Sequence, residues 1–148
     1  MLKKLFSYFI PITIFKQKSS LSQTLEVTWT DGELVLDSEN TNYSFGNLQK
    51  ILREGLKIIG VQKIQSMHNV LVLGVAGGSV IRTLVDEINF KGQITGVEID
   101  KAIIEIANTY FHLNQIPNLE IVFDDASEYV LKTNKKFDLI IIDIFQDT

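Results

Sequence analysis

The sequence predicts an α/β protein, a parallel sheet with helices on both faces, preceded by a small N-terminal β-hairpin region. Two observations carry that prediction. From His68 onward, short apolar runs alternate with stretches whose apolar residues recur at three- and four-residue steps, the mark of strands alternating with helices. The runs are nearly continuous in Val, Ile and Leu, as strands buried on both faces require. Before residue 42 the apolar period is two, which fits half-buried hairpin strands instead.

Composition bounds the reading. The 148 residues suit one domain, and 45% hydrophobic with 22% charged residues suits an ordinary globular chain rather than a disordered or collagenous one. A formal net charge of −4 gives no basic footprint, so no nucleic-acid partner is expected. The absence of cysteine excludes disulfides, thiolate metal sites and thiol nucleophiles, and permits the reducing cytoplasm, the expected location. His68 and His112 lie far apart with no paired ligand beside them, so both read as surface or packing imidazoles and no metal is expected.

Along the chain, Met1 to Phe15 opens with a basic pair and an apolar stretch, the outline of a signal peptide. Pro11 interrupts it, and Lys16-Gln17-Lys18 stand where small residues should precede a cleavage site. The stretch is also shorter than the ~20 residues that cross a bilayer. No membrane partner is expected, and Ile12 to Phe15, rich in β formers, read as a strand. Leu25 to Thr30 alternates at period two, Asp31-Gly32 supplies a hairpin turn, and Glu33 to Leu36 resumes the strand. Trp29 reads as a cross-strand packing residue.

The period lengthens after residues 42–47, which divides the chain into a hairpin region, 1–45, and a second region, 46–148. Leu48, Ile51, Leu52, Leu56 and Ile59 make one helix face, with Gly60 at its C-terminal cap. Val70 to Gly74 is a strand, Val80 to Ile88 a helix, Ile94 to Glu98 a second strand and Lys101 to Phe111 a helix. Leu119 to Phe123 is the third strand, Ser127 to Leu131 a short helix, and Phe137 to Asp143 the fourth strand. Right-handed crossovers would bring every carboxyl end of these strands to one edge, where a ligand binds.

That edge collects the candidate site residues. Gly74-Val-Ala-Gly-Gly-Ser79 joins the first strand to its helix, and small residues there let backbone approach a ligand at the helix N-terminus; tight packing alone is the competing reading. Glu98 ends the second strand twenty residues after Gly78, about the interval at which such Rossmann-like sheets place an acid for ribose hydroxyls. Asp100, just before Lys101, equally suits an N-cap. After the third strand, Asp125 can accept from an adenine amino group while the Ala126 N–H donates to a ring nitrogen; Asp125 also suits a helix cap. Asp143 ends the fourth strand and could take a proton from an amine, or be structural.

With a glycine turn, a ribose acid and an adenine acid at successive strand ends, the sequence resembles the spermidine synthase-like branch of the class I S-adenosylmethionine-dependent transferases. The resemblance rests on Leu71-Val-Leu-Gly-Val-Ala-Gly-Gly78, Val97-Glu-Ile-Asp100, Asp125-Ala126 and Phe137-Asp-Leu-Ile-Ile-Ile-Asp143, and extends more loosely to Gly32-Glu-Leu-Val-Leu-Asp37 with Tyr43. It implies that Gly74, Ala76 and Gly78 line the donor's amino-acid tail, Glu98 holds the ribose, and Asp125 with Ala126 holds adenine. It also implies S-adenosylmethionine or its decarboxylated form as donor, and a small acceptor, an amine by the polyamine members. Asp143 would aid deprotonation of that amine.

The departures are specific. Gly77 stands where the polyamine enzymes hold an acid, and Ala76 where a second glycine is usual. Gln146 takes the place of the second acid after the fourth strand, with Asp147 one residue late, and Ser44-Phe45 follow Tyr43 where a histidine is usual. The family continues for three further strands, so the resemblance implies missing C-terminal strands and an exposed apolar edge at Leu139 to Ile142, suited to a homodimer. The expected function is therefore a transferase of aminopropyl or methyl groups, with a non-catalytic nucleoside-binding or interaction module as the alternative. A nicotinamide oxidoreductase fits less well, because Gly74, Ala76 and Ser79 occupy the three fingerprint positions.

Overall fold

A computed structural model describes residues 2–38, 42–44 and 47–144. Its first half is an antiparallel sheet in the order β1 (Ile12–Gln17), β2 (Leu25–Thr30), β3 (Glu33–Ser38), β4 (Asn42–Ser44). The predicted turn forms because Asp31 and Gly32 both take positive φ, 50° and 78°, the pair of angles that matches strand twist in a two-residue hairpin. Pairing of Thr30 with Glu33 then fixes the register and sets Val27 opposite Leu36, both fully buried. A helix absent from the sequence prediction, α1 (Leu2–Phe6), precedes β1; it is five residues long and buries none of them. The predicted boundary at 45/46 lies outside the described residues.

Helix α2 (Asn47–Ile59) ends at Gly60, whose N–H donates to the Leu56 carbonyl at 3.1 Å. The Gly60 carbonyl accepts from Ile64 N at 3.0 Å and starts a further helix, α3 (Val61–Gln65), which the sequence prediction lacked. The buried face of α2 is narrower than its apolar stripe. Leu52 and Leu56 pack on the core, while Ile51 and Ile59 remain exposed and the side chain of Leu48 lies outside the described residues.

The second sheet is wholly parallel, in the order β7 (Leu119–Phe123), β6 (Gln93–Glu98), β5 (Asn69–Leu73), β8 (Leu139–Ile142). Helices α4 (Ser79–Arg82, extended by a wider turn to Glu87), α5 (Lys101–Tyr110) and α6 (Ala126–Lys132) connect these strands. Val70, Val72, Ile94 and Ile141 bury one face against Leu56, Ile81, Leu84 and Ile104, and Leu71, Leu73 and Val97 bury the other against Tyr129 of α6. Among the described residues β8 pairs only with β5, and Ile140 and Ile142 are exposed, as the sequence expects of that edge. The antiparallel sheet packs on α5, with Leu25, Val27 and Leu36 against Ile103, Ile106 and Phe111. Ala76 of the glycine turn belongs to the same cluster, so the hairpin region and the glycine turn share one core.

Candidate functional site

The strand order reverses at β5, with β6 and β7 on one side and β8 on the other. Loops leaving neighbouring strands in opposite directions open a crevice at the carboxyl ends there. A cleft of about 330 Å³ occupies that position. Gly74 and Ala76, Glu98 and Asp100, Asp125 and Ala126, and Asp143 all line it, so four strand ends contribute. Leu21 and Ser22, from the loop between β1 and β2, line it from the hairpin side.

The glycine turn is set by φ values no ordinary residue takes freely. Gly74 has φ +84°, and a Cβ there would run into the Asp143 carbonyl oxygen, so its missing side chain is what lets the ends of β5 and β8 come together. Gly78, φ +80°, stands at the N-cap of α4, where a Cβ would collide with Leu113. The structure therefore places Gly78 against Leu113 and not among the residues that line the cleft. Ala76 holds φ +49°, a left-handed conformation that costs a non-glycine residue roughly 1 kcal/mol or more.

Glu98 holds this turn together. Its Oε2 accepts from Val75 N at 3.0 Å and Ala76 N at 3.2 Å, and its Oε1 accepts from Asp100 N at 3.1 Å. An ionised carboxylate offers about four lone-pair positions, so roughly one remains for a ligand. The ribose reading and a structural role thus meet in one buried side chain.

Asp100 caps α5, with Oδ1 accepting from Ala102 N at 2.9 Å, and its Oδ2 accepts from Ser19 Oγ. The Ser19 hydroxyl oxygen also accepts from Leu21 N and Ser22 N, at 3.1 and 2.9 Å, which curls the β1–β2 loop over the cleft. Ser19 lies 81 residues from Asp100 in the chain, and no local pattern could have signalled the pairing. Asp125 is the cap of α6: Oδ1 accepts from Ser127 N at 2.8 Å and Glu128 N at 3.1 Å, and the Asp125 N–H donates to Asp124 Oδ1. Both caps were open readings of the sequence, and both form.

Asp143 is 9% exposed, and its carboxyl is pushed up to about 6, first by burial and second by the charge of Glu98. With Asp124, five carboxylates line the cleft among the described residues, and none of its described lining residues is a lysine, arginine or histidine. Such a donor set suits a cationic ligand and would disfavour a free anion. Of the motif positions read in the sequence, Phe45, Gln146 and Asp147 lie outside the described residues.

A parallel sheet wound in this order, with a glycine turn after its first strand and acids after the next three, defines a Rossmann-like α/β fold. The comparisons place the chain within that class. The spermine/spermidine synthase domain model matches residues 49–148, and the chain belongs to that family. It is 40% identical over 82 residues to a polyamine aminopropyltransferase of Buchnera aphidicola from Schizaphis graminum, across 52% of this chain and 28% of that one. An eEF1A lysine and N-terminal methyltransferase homolog of Drosophila pseudoobscura is 31% identical over 97 residues, across 58% of this chain and 14% of that one. The crystal structure of spermidine synthase from Thermotoga maritima shares the fold, with a TM-score of 0.66 at 22% identity, covering 93% of this chain and 48% of that one. The chain thus spans less than half the length of each of these proteins.

Proposed function

We propose that the chain forms the donor-binding part of a transferase that takes S-adenosylmethionine or its decarboxylated form and moves a methyl or aminopropyl group to a small acceptor carrying an amine. The observation that carries this reading is the convergence of Gly74, Ala76, Glu98, Asp125, Ala126 and Asp143 on one cleft at the switch point of the sheet. Family membership supports the same class of donor. In this reading the glycine turn lies along the donor's amino-acid tail, the remaining lone pair of Glu98 accepts from the ribose, and Asp125 with the Ala126 N–H reads the adenine edge.

A sulfonium donor brings its own leaving group, so the protein's share of the work is to align an acceptor and keep its lone pair free. Asp143 is placed for the second task. With its carboxyl near 6, it is ionised at neutral pH and can hold an ammonium or accept its proton, and it loses that capacity as pH falls through that value. The described lining, five acids without a basic residue, also supports a donor that carries positive charge. The lack of cysteine agrees with a cytoplasmic setting.

Calorimetry and thermal melting with 5′-methylthioadenosine, S-adenosylmethionine and decarboxylated S-adenosylmethionine test the reading. Saturable binding with a raised melting temperature is expected for at least one of them, and no response to any would overturn it. A non-catalytic nucleoside-binding module is the second reading, favoured by Gly77 where the polyamine enzymes hold an acid. Product formation with amine acceptors separates the two.

A further inference from the structure

The transferase reading leaves the first eighteen residues without a role, and they differ in character from the rest. They hold Lys3, Lys4, Lys16 and Lys18 and no acidic residue, whereas the remaining chain has ten basic residues against eighteen acidic ones, a net −8. Residues 2–10, ahead of β1, dock on the hairpin through polar contacts. Ser7 is buried; its Oγ accepts from Gly32 N at 3.0 Å and donates to the Lys4 carbonyl at 2.7 Å, and its carbonyl accepts from Asp31 N at 3.1 Å. The Lys4 ammonium lies 5.7 Å from the Trp29 ring centre.

With that side fixed, the large apolar side chains are left outside. Leu2, Leu5, Phe6, Phe9 and Ile10 are 72%, 65%, 55%, 83% and 68% exposed. Leu2, Leu5, Phe6 and Phe9 follow the steps of one helical face, and the Ile10 N–H, donating to the Phe6 carbonyl at 3.2 Å, continues the helical path beyond α1. A segment folded to complete its own core would bury its phenylalanines and expose its serine. Residues 2–10 do the reverse, with Phe6 and Phe9 outside and Ser7 inside, whereas Phe15 of β1 packs with the core.

We infer that this face lies on an anionic phospholipid surface, with the apolar side chains at the acyl boundary and Lys3 and Lys18 at the headgroups, while Lys4 stays over Trp29 and Lys16 pairs with Glu26. Exposed phenylalanine, leucine and isoleucine beside lysines are the chemistry of such a contact. The charge distribution orients it, because an anionic surface attracts the segment and repels the net −8 of the remainder. The expectation that no membrane is engaged rested on the stretch being too short to cross one, and among the described residues no helix is long and apolar enough to do so. Length places no such limit on lying at the surface.

The test is sedimentation of the full chain with vesicles of phosphatidylcholine alone and of equal parts phosphatidylcholine and phosphatidylglycerol. Binding to the anionic vesicles is expected to be roughly tenfold or more tighter, weakening with salt. Leu5→Glu with Phe9→Glu should reduce it by roughly tenfold or more while leaving the melting temperature unchanged, since both side chains are exposed. Lys3→Glu with Lys18→Glu should remove the preference for anionic vesicles. Equal binding to both vesicle types, no binding to either, or full binding by the Leu5/Phe9 variant overturns the inference. So does self-association of the wild-type chain that the Leu5/Phe9 variant abolishes when no vesicle binding is seen, because the face would then belong to a second copy. Each readout is independent of donor binding.

Discussion

Replacing Asp143 by Asn should make the protein more stable at neutral pH. Burial, followed by the charge of Glu98, raises the carboxyl from 3.8 to about 6 in the folded state. Because the folded value lies above the unfolded one, the native state binds more protons between them, and stability falls as pH rises from about 4 to about 6 and is flat beyond. A shift of about two units corresponds to a ceiling of about 3 kcal/mol, at about 1.4 kcal/mol per unit. The cleft is open to water on one side, which lowers the cost of the charge, so about 1–3 kcal/mol is the expected gain. Asparagine keeps the shape and carries no charge, so it relieves that cost. Urea unfolding of both proteins at about pH 4 and about pH 7.5 measures it. The gain should appear at the higher pH and shrink to a small fraction of its size near the lower, where the aspartate is protonated in the folded state and about half protonated in the unfolded one. Equal stability at about pH 7.5, or a gain of the same size at both, would refute the argument that a buried charge is the cause. Loss of turnover in the same variant, with donor affinity retained, would then place Asp143 with the acceptor, a charge kept at a cost in stability.

Three further substitutions separate structural from ligand roles. Glu98→Gln puts an amide N–H₂ where a backbone N–H now finds an acceptor, so it should lower stability by about 1–3 kcal/mol and also weaken 5′-methylthioadenosine binding in calorimetry; reduced affinity with unchanged melting would show that the turn does not depend on Glu98. Asp125→Ala should cost about 0.5–2 kcal/mol as a lost cap and weaken binding as well, whereas Asp125→Ser should keep the cap and weaken binding alone. Full affinity in the serine variant would remove Asp125 from the adenine site. Gly74→Ala should destabilise by more than about 1 kcal/mol, because the residue holds φ +84° and its new Cβ would meet the Asp143 carbonyl; an unchanged melting temperature would contradict the close approach of β5 and β8.

The parallel sheet was legible chiefly through its inner strand β5, which is buried on both faces, and that burial writes itself as the unbroken apolar run Val70 to Leu73. The turn at Asp31-Gly32 was legible because only a few residue pairs accept its two positive φ values. Helix α1 was not legible although Leu2, Leu5, Phe6 and Phe9 stand at helical steps, because the segment is little more than one turn long and Pro11 closes it. In the cleft, the residues at strand ends could be read because the fold sends every strand end to one edge. Ser19, Leu21 and Ser22 could not, because their place there depends on how the hairpin sheet docks on α5, a contact between residues far apart in the chain. Gly78 shows the converse. The motif marks it as a ligand position, but a motif does not say which of its glycines lines the cleft and which packs against a leucine.

The hydrogen bonds of Glu98 tie these features into one mechanical unit. The side chain spans from β6 back to the turn after β5, where Ala76 holds a conformation it would not choose alone, and Ala76 in turn packs in the cluster that joins the hairpin sheet to α5. In the proposed reading, a ribose hydroxyl that takes the remaining lone pair of Glu98 would act on the glycine turn and, through Ala76, on the contact that holds the hairpin sheet. Asp100 adds a second link, because Ser19 binds it from the loop that covers the cleft. Donor binding should consequently tighten or loosen the β1–β2 loop as well as the cleft floor. Amide exchange at Leu21 and Ser22, whose N–H groups are held by Ser19, should change when 5′-methylthioadenosine binds. Unaltered exchange there, with binding confirmed by calorimetry, would mean that the loop and the donor site are independent.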